Sequence, residues 1–138
     1  MRFALAQINS TVADFSGNEE KILEFARKAK NEHNADLLLF PELALCGFPP
    51  LDLLERSEFI ENNIKTLEIL KQELPEDLAV GLGYVNKSPN PRSTKPVNAY
   101  GFIRGRKLLF QQAKTLLPDN GFFNEAQYFE AAVDRNVF

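Results

Sequence analysis

Residues 37–54 read Leu-Leu-Leu-Phe-Pro-Glu-Leu-Ala-Leu-Cys-Gly-Phe-Pro-Pro-Leu-Asp-Leu-Leu. The first four form an unbroken apolar run, the pattern of a strand buried on both faces. Pro41 has no N–H to give to a ladder, so pairing stops there. Glu42 then stands at the carboxyl end of a buried strand, where open α/β sheets gather functional groups. Apolar neighbours disfavour the charged form of a carboxylate, which suits a general base working near neutral pH. The plainer alternative is a turn carboxylate that starts the next helical turn. Cys46, four residues on, is the only thiol of the chain. A nucleophilic thiol wants a helix N-terminus or a nearby cation. This apolar setting favours a small packed residue instead.

Upstream, residues 3–9 alternate Phe3, Leu5 and Gln7 with Ala4, Ala6 and Ile8. Both faces are mostly apolar, which predicts a strand buried between two layers. Asn18 is a candidate N-cap for a following helix, and Ile22, Phe25, Ala26 and Ala29 repeat at helical spacing. Fraying is expected near Asn31–Asn34.

Downstream, Ser57–Glu73 reads as a second helix, with a stripe of Ile60, Ile64, Leu67, Leu70 and Leu74, and Pro75 stops it. Leu78–Val85 reads as a third strand, in which Gly81 and Gly83 leave room for close backbone approach. Residues 86–96 are rich in Pro, Ser and Lys and lack a period, so they form an exposed loop. Val97–Ile103 and Lys107–Gln111 are strand-like and meet at a tight turn on Gly105. From Lys114 onward the chain reads as loop, with the aromatics Phe122, Phe123, Tyr128 and Phe129 free to wall a pocket or an interface. The order β-α-β-α-β-β predicts an α/β layered domain. Lys114, where the last strand gives way to loop, is a candidate holder of a substrate oxyanion; a solvated lysine is the commoner fate.

Composition narrows the rest. The chain has 138 residues, 44% hydrophobic and 25% charged, with a net charge of -3. One globular domain fits this length, and the charge lacks the basic excess of a nucleic-acid or anionic-membrane binder. One cysteine allows no internal disulfide and suits a reducing, cytoplasmic compartment. No apolar run reaches the length of a membrane span. A single His33 and no Cys–Cys spacing give no metal motif. Gly81-Leu82-Gly83 lacks the third glycine of a dinucleotide loop.

Three stretches together resemble one family. Residues 37–54 resemble the first signature of the nitrilase superfamily of carbon–nitrogen hydrolases. The ending Pro49-Pro50-Leu51-Asp52-Leu53-Leu54 is similar to the glutaminase domains of glutamine-dependent NAD+ synthetases. Residues 114–129, Lys-Thr-Leu-Leu-Pro-Asp-Asn-Gly-Phe-Phe-Asn-Glu-Ala-Gln-Tyr-Phe, resemble the second signature of that subfamily. Asn98-Ala99, followed by Gly105-Arg106, matches the strand–turn–strand between them.

The resemblance implies the front portion of a four-layer α-β-β-α sandwich and a Glu-Lys-Cys triad. Glu42 takes the place of the general base and Lys114 that of the residue stabilising the tetrahedral intermediate. Glu125 matches a further, supporting glutamate. In the family, a cysteine attacks the side-chain amide of glutamine, ammonia leaves, and water releases glutamate from the thioester. Ammonia then passes to a synthetase domain that uses ATP and magnesium to convert deamido-NAD+ to NAD+. No cofactor is implied within residues 1–138 themselves.

This sequence departs from the pattern at four places. The family's cysteine follows the second signature, and residues 1–138 do not include it. Cys46 stands where the family usually has threonine. Phe48 and Asn120, candidate substrate-binding positions, stand where it often has tyrosine, and Leu51 replaces a frequent glutamate. Asn136-Val137-Phe138 reads as the opening of another strand. The expectation is therefore the N-terminal part of a glutamine amidohydrolase domain, without its synthetase domain and inactive by itself. An unpaired sheet edge favours a homo-oligomer. An independent nitrilase-type amidase and a non-catalytic assembly remnant remain the alternatives. Glu42 and Lys114 should point into one pocket from adjacent strands, with Glu125 near its rim.

Overall fold

Two runs with helical spacing become the long helices of this computed structural model, which describes residues 1–121 and 124–137. Helix α1 (Phe15–Asn31) buries Ile22, Leu23, Ala26 and Ala29. Its N-cap is Asp14, whose carboxylate accepts from the Gly17 N–H at 3.0 Å, not Asn18. Asn18 is fully buried one turn later. Its carboxamide accepts from the Thr11 N–H and donates to the Thr11 and Leu45 carbonyls. It ties the entry loop to the turn after the second strand, a long-range role that no local cap signal reveals.

Helix α2 (Ser57–Glu73) has the expected bounds and buries Leu67 and Leu70 of the expected stripe, with Leu74 just beyond it, on a face rotated slightly from the one expected. Phe59, Asn63, Thr66, Leu67 and Leu70 are buried, whereas Ile60 and Ile64 of the expected stripe are half-buried. Asn63 and Thr66 are tolerated there because Asn63 accepts from the Val85 N–H and Thr66 donates back to the Asn62 carbonyl.

The sheet has the order β1 (Phe3–Leu5), β2 (Leu37–Leu39), β3 (Ala79–Asn86), β4 (Val97–Arg104), β5 (Lys107–Ala113). β1, β2 and β3 run parallel; β4 and β5 add antiparallel. Gly105 and Arg106 both have positive φ, 57° and 62°, the two-residue turn that suits the strand twist. Ala4, Leu38, Val80 and Ile103 share one face by register, and α1 and α2 pack on it to form the main core.

The opposite face differs from expectation. Phe3 and Leu5 are 64% and 74% exposed, so β1 is an edge strand covered on one side only. Leu39, Phe102 and Phe110 continue that face and are half-buried.

Beyond the carboxyl ends of β2 and β3 lies a second small core of Leu43, Cys46, Leu54, Phe59, Val85 and Phe129. A 3-10 turn at Leu51–Glu55 and a short helix α3 (Glu125–Tyr128) supply parts of it. Helix α3 falls in the stretch expected to be loop, because four residues carry too little period to show. Asn136 and Val137 form no strand; the Asn136 N–H donates instead to the Gln112 side chain. Phe122, Phe123 and Phe138, expected to wall a pocket or to open a strand, lie outside the described residues. Among the described residues no helix is long and apolar enough to cross a membrane.

Candidate active site

Strand directions decide where the site can be. β1, β2, β3 and β5 point the same way and β4 points back, so one end of the sheet holds four carboxyl ends and the start of β4. Glu42, Lys114 and Asn98 all emerge at that end.

Glu42 sits in a turn folded over the end of β3. The Gly83 N–H donates to the Pro41 carbonyl and the Leu45 N–H to the Gly83 carbonyl. A Cβ on Gly83 would lie 2.3 Å from the Leu43 nitrogen and 2.7 Å from the Glu42 Cα. Glycine is therefore what lets the turn settle there. Leu43 has φ 51°, a left-handed conformation costly for a side chain that size. Such strain persists where the surroundings over-determine it. Lys114 is fixed by its backbone, its N–H donating to the Asn98 carbonyl at 2.8 Å. Glu125 opens α3, with its N–H on the Pro118 carbonyl at 2.8 Å.

The three charged side chains meet. Lys114 Nζ lies 2.9 Å from Glu42 Oε1 and 3.0 Å from Glu125 Oε1. Two expectations of detail are corrected. Glu42 and Lys114 do not come from adjacent strands, since β3 and β4 stand between β2 and β5. The folded-over turn and the long lysine side chain close the gap. Glu125 is buried inside the cluster, not placed at a rim.

The setting of Glu42 also differs. Its side chain is 48% exposed and faces a lysine and an amide rather than an apolar enclosure. Burial works against the charge of Lys114, but its hydrogen bonds to Glu42 and Glu125 and their charges outweigh it, and its pKa is raised. An ammonium held charged in this way is suited to stabilising a developing oxyanion.

Sequence reasoning missed Asn98 as a site residue. It is buried, and its Nδ2 donates to Glu42 Oε1 at 2.5 Å and approaches Glu125 Oε2 at 3.5 Å. A polar residue opening an otherwise apolar strand was the signal available. The cleft lined by Glu42, Asn98, Tyr100, Gln112 and Lys114 opens on the side of the sheet that the helices leave bare. Phe48 and Leu51 line a separate small apolar pocket that touches Glu125. Asn120 is exposed and lines neither. Cys46 is fully buried, and burial pushes its thiol up to about 12. Among the described residues no group of three or more His, Cys, Asp or Glu is placed to hold a metal ion.

A family model described as carbon-nitrogen hydrolase matches residues 2–137. The chain is 36% identical over 138 residues to a glutamine-dependent NAD(+) synthetase of Synechocystis, covering 98% of this chain and 25% of that protein. It is 35% identical over 131 residues to one of Thermotoga maritima, covering 94% and 22%. Among solved structures, a glutamine-dependent NAD+ synthetase from Acinetobacter baumannii in complex with ADP superposes with a TM-score of 0.88 at 30% identity, covering 99% of this chain and 25% of that one. An amidase from Nesterenkonia superposes at 0.76 with 22% identity, covering 97% and 49%, a likeness of fold. The five-stranded mixed sheet with its helices is the nitrilase-like α/β fold. The chain spans about a quarter of the length of the curated relatives it matches.

Proposed function

The chain belongs to the carbon–nitrogen hydrolase family, and we propose that residues 1–138 are the N-terminal part of a glutaminase domain serving NAD+ synthesis. The observation that carries this is the Glu42–Lys114–Glu125 cluster, formed by residues of the two signatures and closed at 2.9 and 3.0 Å. Glu42 takes a proton from the nucleophile and later returns it to the leaving ammonia. Lys114 hydrogen-bonds the oxyanion of the tetrahedral intermediate. Glu125 holds Lys114 in place from its buried side. The nucleophile is a cysteine outside residues 1–138, since a thiol as deeply packed as Cys46 neither ionises readily nor meets substrate. Ammonia released from glutamine then serves an ATP- and magnesium-dependent amidation of deamido-NAD+ on a separate domain. A single buried, reduced thiol suits a cytoplasmic location.

A second reading, an amidase acting on a less polar amide, draws on Phe48 and Leu51, which give the pocket beside Glu125 an apolar wall. Glutamate and ammonia release from glutamine, set against release from simple aliphatic amides, tests both. Residues 1–138 alone should give only the no-enzyme rate. A polypeptide continuing through the cysteine-bearing strand should turn over glutamine. In it Glu42→Ala or Lys114→Ala should cost at least about ten-thousandfold, as for members of a unit that acts together. Turnover by the short chain that Cys46→Ala stops would reinstate Cys46 and sink the reading.

A further inference from the structure

The Glu42 carboxylate has two oxygens, and its surroundings treat them differently. Oε1 accepts from Lys114 Nζ at 2.9 Å and from Asn98 Nδ2 at 2.5 Å. Among the described residues both hydrogen bonds to this carboxylate end on Oε1 and none on Oε2. Asn98 is buried at the start of β4, opposite Val85 in register. It touches every charged member of the cluster. Its Nδ2 reaches both carboxylates, and its carbonyl accepts from the Lys114 backbone N–H.

The chemistry of the carboxamide suits this place. Its NH2 has two hydrogens and no charge, so it can serve two carboxylates without neutralising either. Lys114 alone does not select an oxygen, because an ammonium on a four-carbon stem rotates freely among acceptors. Asn98 has a short side chain on a paired strand, so its donor direction is set by the sheet.

We propose that Asn98 is a positioning residue that commits Oε1 of Glu42 and leaves Oε2 as the oxygen that exchanges protons. This rests on the reading of Glu42 as general base. In the first step the thiol S–H bond breaks, its electron pair stays on sulfur, and the proton forms an O–H bond on Oε2. When the C–N bond of the tetrahedral intermediate breaks, that proton passes to the departing nitrogen, and Oε2 is again unprotonated.

Asn98→Ala and Asn98→Asp, compared with Glu42→Ala in the complete glutaminase, test this. Both Asn98 variants should lower kcat for glutamine about a hundredfold, the scale of a misplaced catalytic group. KM should stay within about threefold, since ground-state binding is not what Asn98 supplies. If Glu42→Ala is inactive while Asn98→Ala keeps kcat within about threefold of wild type, the proposal alone is overturned. If Glu42→Ala retains turnover, the general-base reading falls, and the proposal with it. A second arm needs no Asn98 variant to fold. In 15N-labelled protein, Glu42→Ala should move the Asn98 side-chain amide resonances, and an unmoved pair would overturn the proposal.

Discussion

Cys46 has no route to solvent. It is fully buried, its single S–H has the Gly47 carbonyl oxygen at 3.4 Å and that of Leu43 at 3.8 Å as acceptors, and burial pushes its pKa up to about 12. Iodoacetamide at neutral pH should therefore label the folded chain at least about a thousandfold more slowly than the urea-unfolded chain, given an ordinary thiol pKa near 8.5. Rapid stoichiometric labelling without unfolding would refute the packed assignment. Lys114 makes the opposite case. Its pKa is raised, so its stabilisation is fully present below the unfolded value of about 10.4 and is lost as pH rises through the folded one. Lys114→Met should cost about 2 kcal/mol at pH 7, the scale of charge-assisted hydrogen bonds. The gap to wild type should begin to close only as pH rises past the unfolded value of about 10.4. Urea midpoints measured from about pH 7 to well above that value check both the size and the sign. Glu42 and Lys114 were candidates from their places at strand ends, and it was the resemblance of the two signature stretches that singled them out. Asn98 was not among them, because its importance lies in partners 56 and 27 residues away along the chain.

Elements show the same division between local and distant causes. Asp14 caps α1 through one hydrogen bond to its own first turn. Asn18 satisfies two carbonyls and one N–H in two different loops. Asp14→Ala should cost about 1 kcal/mol. Asn18→Ala should cost about 3 kcal/mol or more, because buried backbone groups lose their partners. Equal urea stabilities for the two variants would contradict this ranking. Gly83→Ala is sharper still, since its Cβ meets backbone rather than a movable side chain. It should destabilise by about 1–3 kcal/mol and displace the Glu42 turn, which a crystal structure of the variant would show. The bounds of α2 and the β4–β5 turn were readable from Pro75 and Gly105, local breakers with local consequences. The burial of Asn63 and Thr66 on α2 was not, because it depends on the Val85 N–H that donates to Asn63 and the helix carbonyl that accepts from Thr66.

At the scale of the whole molecule, the sheet is covered by helices on one face only. Phe3, Leu5, Leu39, Phe102 and Phe110 occupy the other, and β1 offers an unpaired edge. Residues 1–138 by themselves should therefore associate as concentration rises. Phe3→Lys with Leu5→Lys should reduce that association without unfolding the chain. Sedimentation of the unaltered chain as a monomer at high concentration would contradict the expectation.

Short-range physics made the α/β order, both long helices and the hairpin turn readable from the sequence alone, and it left Glu42 and Lys114 as candidates at strand ends. Each rests on a repeat, a breaker or a strand end that lies within a few neighbouring residues. Tertiary structure alone decided which face of the sheet stays bare, that Asn63 and Thr66 of α2 turn inward, and that Asn98 joins Glu42, Lys114 and Glu125. Strand order and the fold of the 41–47 turn over β3 bring these groups together, and neither leaves a local mark on the chain.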